Sequence, residues 1–212
     1  MGMTPNSTFE RAPGRSLAMA ELPKADRRIR RLALASLMGV AALSAGVLVF
    51  LNASLRQRQT HMDLQAMFPQ LLPRAIEWAQ GVAADAAARG TSLTASSLAD
   101  AATVGVQRPE SIRVLMIDRL PIPSDPDLQR AALQTGLLGP HAIGLTLGYS
   151  ILICHGHFGR RLLSHECRHV AQYEQAGSIE SFLPIYLRSI MQFGYRDCPF
   201  EREARAHELP DA

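Results

Sequence analysis

One uncharged apolar run of twenty residues, LALASLMGVAALSAGVLVFL from Leu32 to Leu51, stands apart from a chain whose other apolar positions recur at helix or strand spacing. At 1.5 Å per residue it is about 30 Å long as a helix, the hydrocarbon thickness of a bilayer, and it predicts a transmembrane helix. From His61 to Arg89 the apolar residues step by three and four, through Leu64, Met67, Phe68, Leu71, Leu72, Ala75, Ile76, Ala79 and Val82. Pro69 and Pro73 interrupt that pattern, so a second helix is expected to start at Pro73 and end at Gly90. A shorter helix is predicted from Ala95 to Val104, with Thr94 as its cap. Ile112 to Ile117 is apolar and rich in β-branched residues, which predicts a strand. Asp127 to Gln134 reads as a short helix. Ala142 to Cys154 reads either as two strands joined at Leu147-Gly148-Tyr149 or as one strand bulged at Gly148. Helices follow at Phe158 to Ala176, Ile179 to Phe193 and Pro199 to Glu208, the first two closed by Gly177 and Gly194. The predicted fold class is α+β, with a short sheet, preceded by one transmembrane helix. Residues 1–31 read as a disordered basic segment, 32–51 as the span, 52–72 as a juxtamembrane linker or helix, and 73–212 as one domain.

Charge sets the expected orientation. The net charge of +3 divides unevenly, residues 1–60 holding nine Lys/Arg against three acids. Most of those cations precede Leu32, so the positive-inside rule puts the N-terminus in the cytoplasm and the C-terminal domain outside it, in the periplasm or beyond, with the span in the inner membrane. A cleaved signal peptide is the competing reading, and it puts the domain on the same side. Ala35, Gly39, Ala42 and Gly46 form a small-residue stripe, which leaves room for a homodimer through the transmembrane helix. The remainder of the chain is mildly acidic, which argues against nucleic acid as a partner. Lys24 is the only lysine and alanine is abundant, the bias of a GC-rich bacterial genome. Three cysteines, Cys154, Cys167 and Cys198, are too few for a disulfide scaffold, and with no C-x-x-C they suggest no cysteine zinc site.

The chemical information is concentrated in His165-Glu166-Cys167-Arg168-His169, which spells H-E-x-x-H. On a helix, histidines four apart share one face. Two imidazoles can then converge on one Zn²⁺, with Glu166 beside them to act on water. A catalytic zinc site takes three protein groups. A third histidine on the same helix, in H-x-x-G-x-x-H, is excluded because positions 172 and 175 are both glutamine. The later segment Cys198-Pro199-Phe200-Glu201-Arg202-Glu203-Ala204 offers Glu201 and Glu203, which are two apart and face opposite sides of a helix, so only one can reach a metal.

A strand, an H-E-x-x-H helix and a later glutamate-bearing helix together resemble the gluzincin metallopeptidases, and in size the compact minigluzincin domains, over roughly residues 110–208. The resemblance implies a zincin-like domain with Zn²⁺ as cofactor, His165, His169 and Glu201 as metal ligands, Glu203 as the alternative, and Glu166 as the catalytic general base. Taken with the predicted span, it implies a membrane-anchored zinc metallopeptidase, a hydrolase acting on a peptide or protein substrate that adds as a strand to the edge near Ile143 to Cys154. Candidate donors to an oxyanion are Tyr149, His155, His157 and Tyr195. Two positions depart from the family pattern: Arg205 stands where an aspartate would orient a ligand histidine, and Arg168 puts a charge inside the motif. The alternative is a catalytically idle zinc-binding domain serving as a membrane-tethered interaction module. Cys167 lies opposite the two histidines and reads as a small buried apolar residue. Arg160-Arg161 oppose the helix dipole, which points to lipid headgroups or an acidic substrate as their partners.

Overall fold

Leu71, Ala75, Ala79 and Ala86 form one buried stripe, and around it residues 63–89 make a single helix, α1; the computed structural model describes residues 63–211. The break expected at Pro73 does not occur. Pro69 and Pro73 both face solvent, where water can take up the carbonyls that their missing N–H groups leave free. The buried stripe therefore carries the helix through both rings.

The remaining elements follow the hydrophobic periods closely. Helix α2 (Ala95–Thr103) is capped by the Thr94 hydroxyl, which accepts from the Ser97 amide. A short 3-10 turn (Pro109–Ser111) leads into strand β1 (Arg113–Ile117). Helix α3 (Pro126–Gln134) has Asp125 as its N-cap, accepting from the amides of Asp127 and Leu128. Strands β2 (Gly144–Leu147) and β3 (Ser150–Cys154) form a hairpin whose turn needs Gly148 at φ +63°. Helices α4 (Arg160–Ala176), α5 (Ile179–Phe193) and α6 (Pro199–Ala206) complete the chain.

The sheet order is β1-β3-β2, with β3 parallel to β1 and antiparallel to β2. Central β3 is buried along its whole length, as its uninterrupted apolar run requires. Its alternate residues feed two cores. Ile151 and Ile153 pack with Val114, Ala101, Cys167 and Val170, between the sheet and helices α2 and α4. Leu152 and Cys154 pack with Leu115, Leu145, Ala79, Tyr173 and Phe182 on the other face. Register places Gly144 opposite Ile153 and Thr146 opposite Ile151, so both belong to the face that α4 covers. That placement matters for the site.

One part of the expected fold class is corrected. The α+β description holds, with a three-stranded sheet and six helices among the described residues. The zincin-like domain preceded by one transmembrane helix does not hold as stated, because no helix among the described residues is long and apolar enough to cross a membrane. The physical reason is plain in α1, the longest of them, which carries Asp63, Arg74, Glu77, Asp85 and Arg89 along its length. The span expected at 32–51, its small-residue stripe and the basic segment at 1–31 lie outside the described residues, as does most of the juxtamembrane stretch 52–72.

Arg74 of α1 donates from Nε to Asp125 Oδ2 at 2.7 Å, tying α1 to the start of α3. That bond, and then the amide of Leu128, hold the Asp125 carboxyl down to about 2. A depressed carboxyl contributes stability above its unfolded value and loses it as pH falls through its folded one. Asp125→Asn keeps the cap but removes the charge. Thermal unfolding should therefore find the wild type more stable than Asp125→Asn at pH 5 to 7, with the gap closing between about pH 4 and about pH 2.

Candidate metal centre

His165 and His169 lie in the second and third turns of α4, four residues apart, and present their rings to the same side with centroids 4.9 Å apart. Glu201, from the first turn of α6, meets them there. Its Oε1 is 3.2 Å from His169 Nε2 and its Oε2 is 3.6 Å from His165 Nε2, while the two Nε2 atoms are 3.3 Å apart. Glu203 does not enter the group. It faces away, bonded to Arg168 and to Gln172 Nε2. The alternation of a helix face thus separates the two glutamates, as their spacing requires.

The tautomer of each ring follows from its second nitrogen. Gln172 uses Nε2 to donate to the Phe200 carbonyl at 3.1 Å and to Glu203, which fixes its Oε1 as the atom facing His169 Nδ1 at 2.8 Å. An amide oxygen only accepts, so Nδ1 carries a proton and Nε2 is the nitrogen turned toward Glu201 and open to an ion. His165 Nδ1 faces the carboxylate of Glu208 at 3.2 Å, with the same result. Both Nε2 atoms and a carboxylate then point at one place, an arrangement that calls for a cation among them, either a proton on an imidazole or a metal ion. Donors about 2.0–2.1 Å from a tetrahedral ion sit roughly 3.3 Å from one another. The 3.3 Å between the two Nε2 atoms and the 3.2 Å from His169 Nε2 to Glu201 Oε1 are close to that spacing, the second carboxylate oxygen lies 3.6 Å from His165 Nε2, and the three residues form a group that could hold a metal ion.

Charge and burial agree with that reading. Glu201 is only 1% exposed. Burial is the largest influence on it and pushes its carboxyl up, but bonds from His165, His169 and Tyr186 outweigh burial and hold it well below the usual carboxylate range. The Tyr186 hydroxyl on α5 donates to Glu201 Oε1 at 2.6 Å. Burial also pulls the His169 imidazole down, yet the bond and charge of Glu201, followed by the charge of Glu166 and the Gln172 bond, raise it above its ordinary value. Both shifts describe one preference: the pocket favours positive charge.

Glu166 sits beside this group without joining it. Its carboxylate is buried, and Thr146 Oγ1 donates to Oε2 at 2.7 Å. Gly144 makes that position available, since a Cβ there would lie 2.2 Å from Glu166 Oε1. Edge strand β2 therefore shapes the seat of Glu166 through two residues, and neither has a sequence signal of its own. The expected substrate edge narrows accordingly: β3 is central, and β2 (Gly144–Leu147) bounds the sheet.

The other expected residues divide clearly. Burial, then the charges of Glu201 and Glu166, raise the Tyr195 hydroxyl above its ordinary value, which keeps it protonated beside the group. Tyr149 is engaged elsewhere, donating to Glu174 Oε1 at 2.7 Å, and His155 and His157 are exposed on the turn before α4. Arg168 donates to the Val104 carbonyl at 2.8 Å and pairs with Glu203, so its charge is spent between α2, α4 and α6. Arg205 has Nη1 3.8 Å from Glu201 Oε2 and bonds the Arg196 carbonyl. Burial, followed by the charges of Glu166 and Asp100, pushes the Cys167 thiol up to about 12, which leaves it inert in the core. Arg160 and Arg161 meet Asp100 and Glu208 instead of an outside partner.

Gly144→Ala should displace the Glu166 carboxylate and leave the ligand group untouched. The variant is expected to bind a divalent ion within about twofold of wild type, and a crystal structure should find Glu166 moved off Thr146; an unmoved carboxylate would contradict the steric reading.

No protein-family model, no curated protein and no solved structure matches this chain.

Proposed function

We propose that the chain is a zinc-dependent metallopeptidase of gluzincin type, with His165, His169 and Glu201 holding the metal and Glu166 acting as general base. The donor set supports zinc: two imidazoles and one carboxylate close enough to share one ion, three protein groups that leave a fourth position for water or substrate. The observation that carries the enzymatic reading is Glu166. A metal held only for structure gains nothing from a second carboxylate buried next to it. This one is kept off the ligand group, bonded by Thr146 and given room by Gly144.

When bound, zinc supplies Lewis acidity toward water and the scissile carbonyl. Glu166 takes the proton of the attacking water and delivers it to the leaving nitrogen. Thr146 keeps the Glu166 carboxylate oriented through both transfers. Tyr195, whose hydroxyl is kept protonated next to the charges of Glu201 and Glu166, is the candidate donor to the developing oxyanion. An extended substrate pairs with the edge of β2. A cavity of about 100 Å³, lined by Leu145, Tyr173, Leu183 and Tyr186 among others, gives space beside that strand for an apolar side chain.

Arg205 favours a second reading, a catalytically idle zinc domain that binds a partner, because a guanidinium 3.8 Å from a ligand carboxylate competes with the ion for it. Two substitutions separate the readings. Glu166→Gln should lower kcat on a cleaved peptide by about 10²- to 10⁴-fold with zinc content unchanged. Glu201→Gln should lose zinc, while Glu203→Gln should keep it. A wild-type protein that binds zinc and cleaves nothing in a broad peptide library defeats the enzymatic reading and leaves the idle one; a wild-type protein without zinc affinity defeats both.

A further inference from the structure

After α6 ends at Ala206 the chain turns and runs back along the start of α4. Leu209 donates its amide to Ser164 Oγ at 2.9 Å and packs against the core between α4 and the sheet. Asp211 Oδ1 accepts from the Arg161 amide at 3.1 Å, at a helix start whose N-cap, Gly159, has no capping side chain. Arg160 Nη1 reaches the Pro210 carbonyl at 3.3 Å. Between the end of α6 and these anchors lies Glu208, whose side chain is 16% exposed and uses both oxygens, Oε1 toward His165 Nδ1 and Oε2 toward Arg161 Nε.

We propose that the C-terminal tail, Glu208 to Asp211, is a working part of the metal centre, with Glu208 as the positioning residue of His165. An imidazole that is to bind an ion through Nε2 must carry its proton on Nδ1 and hold its ring plane, and an acceptor at Nδ1 imposes both conditions. A residue one turn after Glu201 cannot be that acceptor, because position 205 is arginine, and its guanidinium lies against Glu201 and the Arg196 carbonyl. Glu208 reaches the ring from beyond the helix end. Arg161 fixes the carboxylate, while the end of α6 before it and the Leu209 and Asp211 bonds after it fix the backbone. Tail docking and metal binding are therefore coupled, and by linkage each strengthens the other.

This inference rests on the metal-centre reading above, and one set of titrations distinguishes their failures. Zn²⁺ affinity is measured on the full chain by competition with a chromophoric chelator, for wild type, Glu208→Ala and Glu208→Gln, alongside the thermal midpoint of each metal-free protein. Glu208→Ala should bind Zn²⁺ about 10- to 100-fold more weakly. Glu208→Gln keeps an acceptor but not the charge, and should fall between wild type and Glu208→Ala, at least about threefold weaker than wild type. Its metal-free midpoint should stay near wild type, which separates positioning from general support of the fold. Wild-type affinity in Glu208→Ala overturns the proposal. If Glu208→Ala does not fold, wild-type affinity in Glu208→Gln does so. A wild-type chain that fails to bind Zn²⁺ overturns the metal centre itself, and this inference with it.

Discussion

A carboxylate taken almost wholly out of water organises the C-terminal half of this protein. Burying a charge of that size costs several kcal/mol, roughly, unless partners answer it. Glu201 has four neighbours that do so: His165 and His169 from α4, Tyr186 from α5, and Arg205 from its own helix. Three helices are thus held to one another by what a single side chain requires. Around the group, Phe182, Tyr186 and Phe200 pack stacked, edge to face or tilted with ring centroids 5.1 to 6.2 Å apart, an apolar wall on one side of it. The low dielectric that makes Glu201 costly also strengthens each bond that answers it.

The sheet serves the same place from the other side. Edge strand β2 alternates Leu145 and Leu147 into one core and presents Gly144 and Thr146 to α4. A small residue and a hydroxyl, two apart on one face, make a seat for Glu166 that a larger pair would fill. A one-residue slip in the hairpin would put Leu145 against Glu166 and destroy the seat, so the Gly148 turn has a consequence for the site as well as for the sheet.

Much of this was legible in the sequence, for reasons that are local. Apolar period and glycine stops placed α2, α4 and α5 within a residue or two, and the strand pair around Gly148 resolved as a hairpin. The H-E-x-x-H spacing put His165 and His169 on one face because helix geometry does so anywhere. The parts that stayed hidden depend on long-range placement. Gln172 was informative at first only as a position where a histidine was absent; its use is to fix the His169 tautomer, and that depends on the Phe200 carbonyl 28 residues away. Tyr186, Thr146 and Gly144 are ordinary helix and strand residues until α6 and α4 arrive. Pro69 and Pro73 read as a break because sequence alone does not show which side of α1 faces water.

Arg168 and Arg205 are the instructive pair, since both depart from the family pattern that the motif resembles. Helix geometry separates them. Arg168 points between α2 and α6, where Glu203 and the Val104 carbonyl take its charge, and Glu203 is drawn away from the histidines in the process. The second glutamate of α6 is thus the partner that keeps Arg168 away from His165, His169 and Glu201, and Arg168 in turn leaves Glu201 without a competing carboxylate. Arg205 stays near Glu201, but the Arg196 carbonyl holds part of its guanidinium and its side chain is 38% exposed, where solvent screens the rest. A metal ion seated among His165, His169 and Glu201 would have shorter contacts than Arg205 has, so the same carboxylate could serve both cations unequally. The arginine at 205 also excludes an acidic residue from that turn, and with it the shortest route to orienting His165. The chain answers this by continuing past the helix to Glu208.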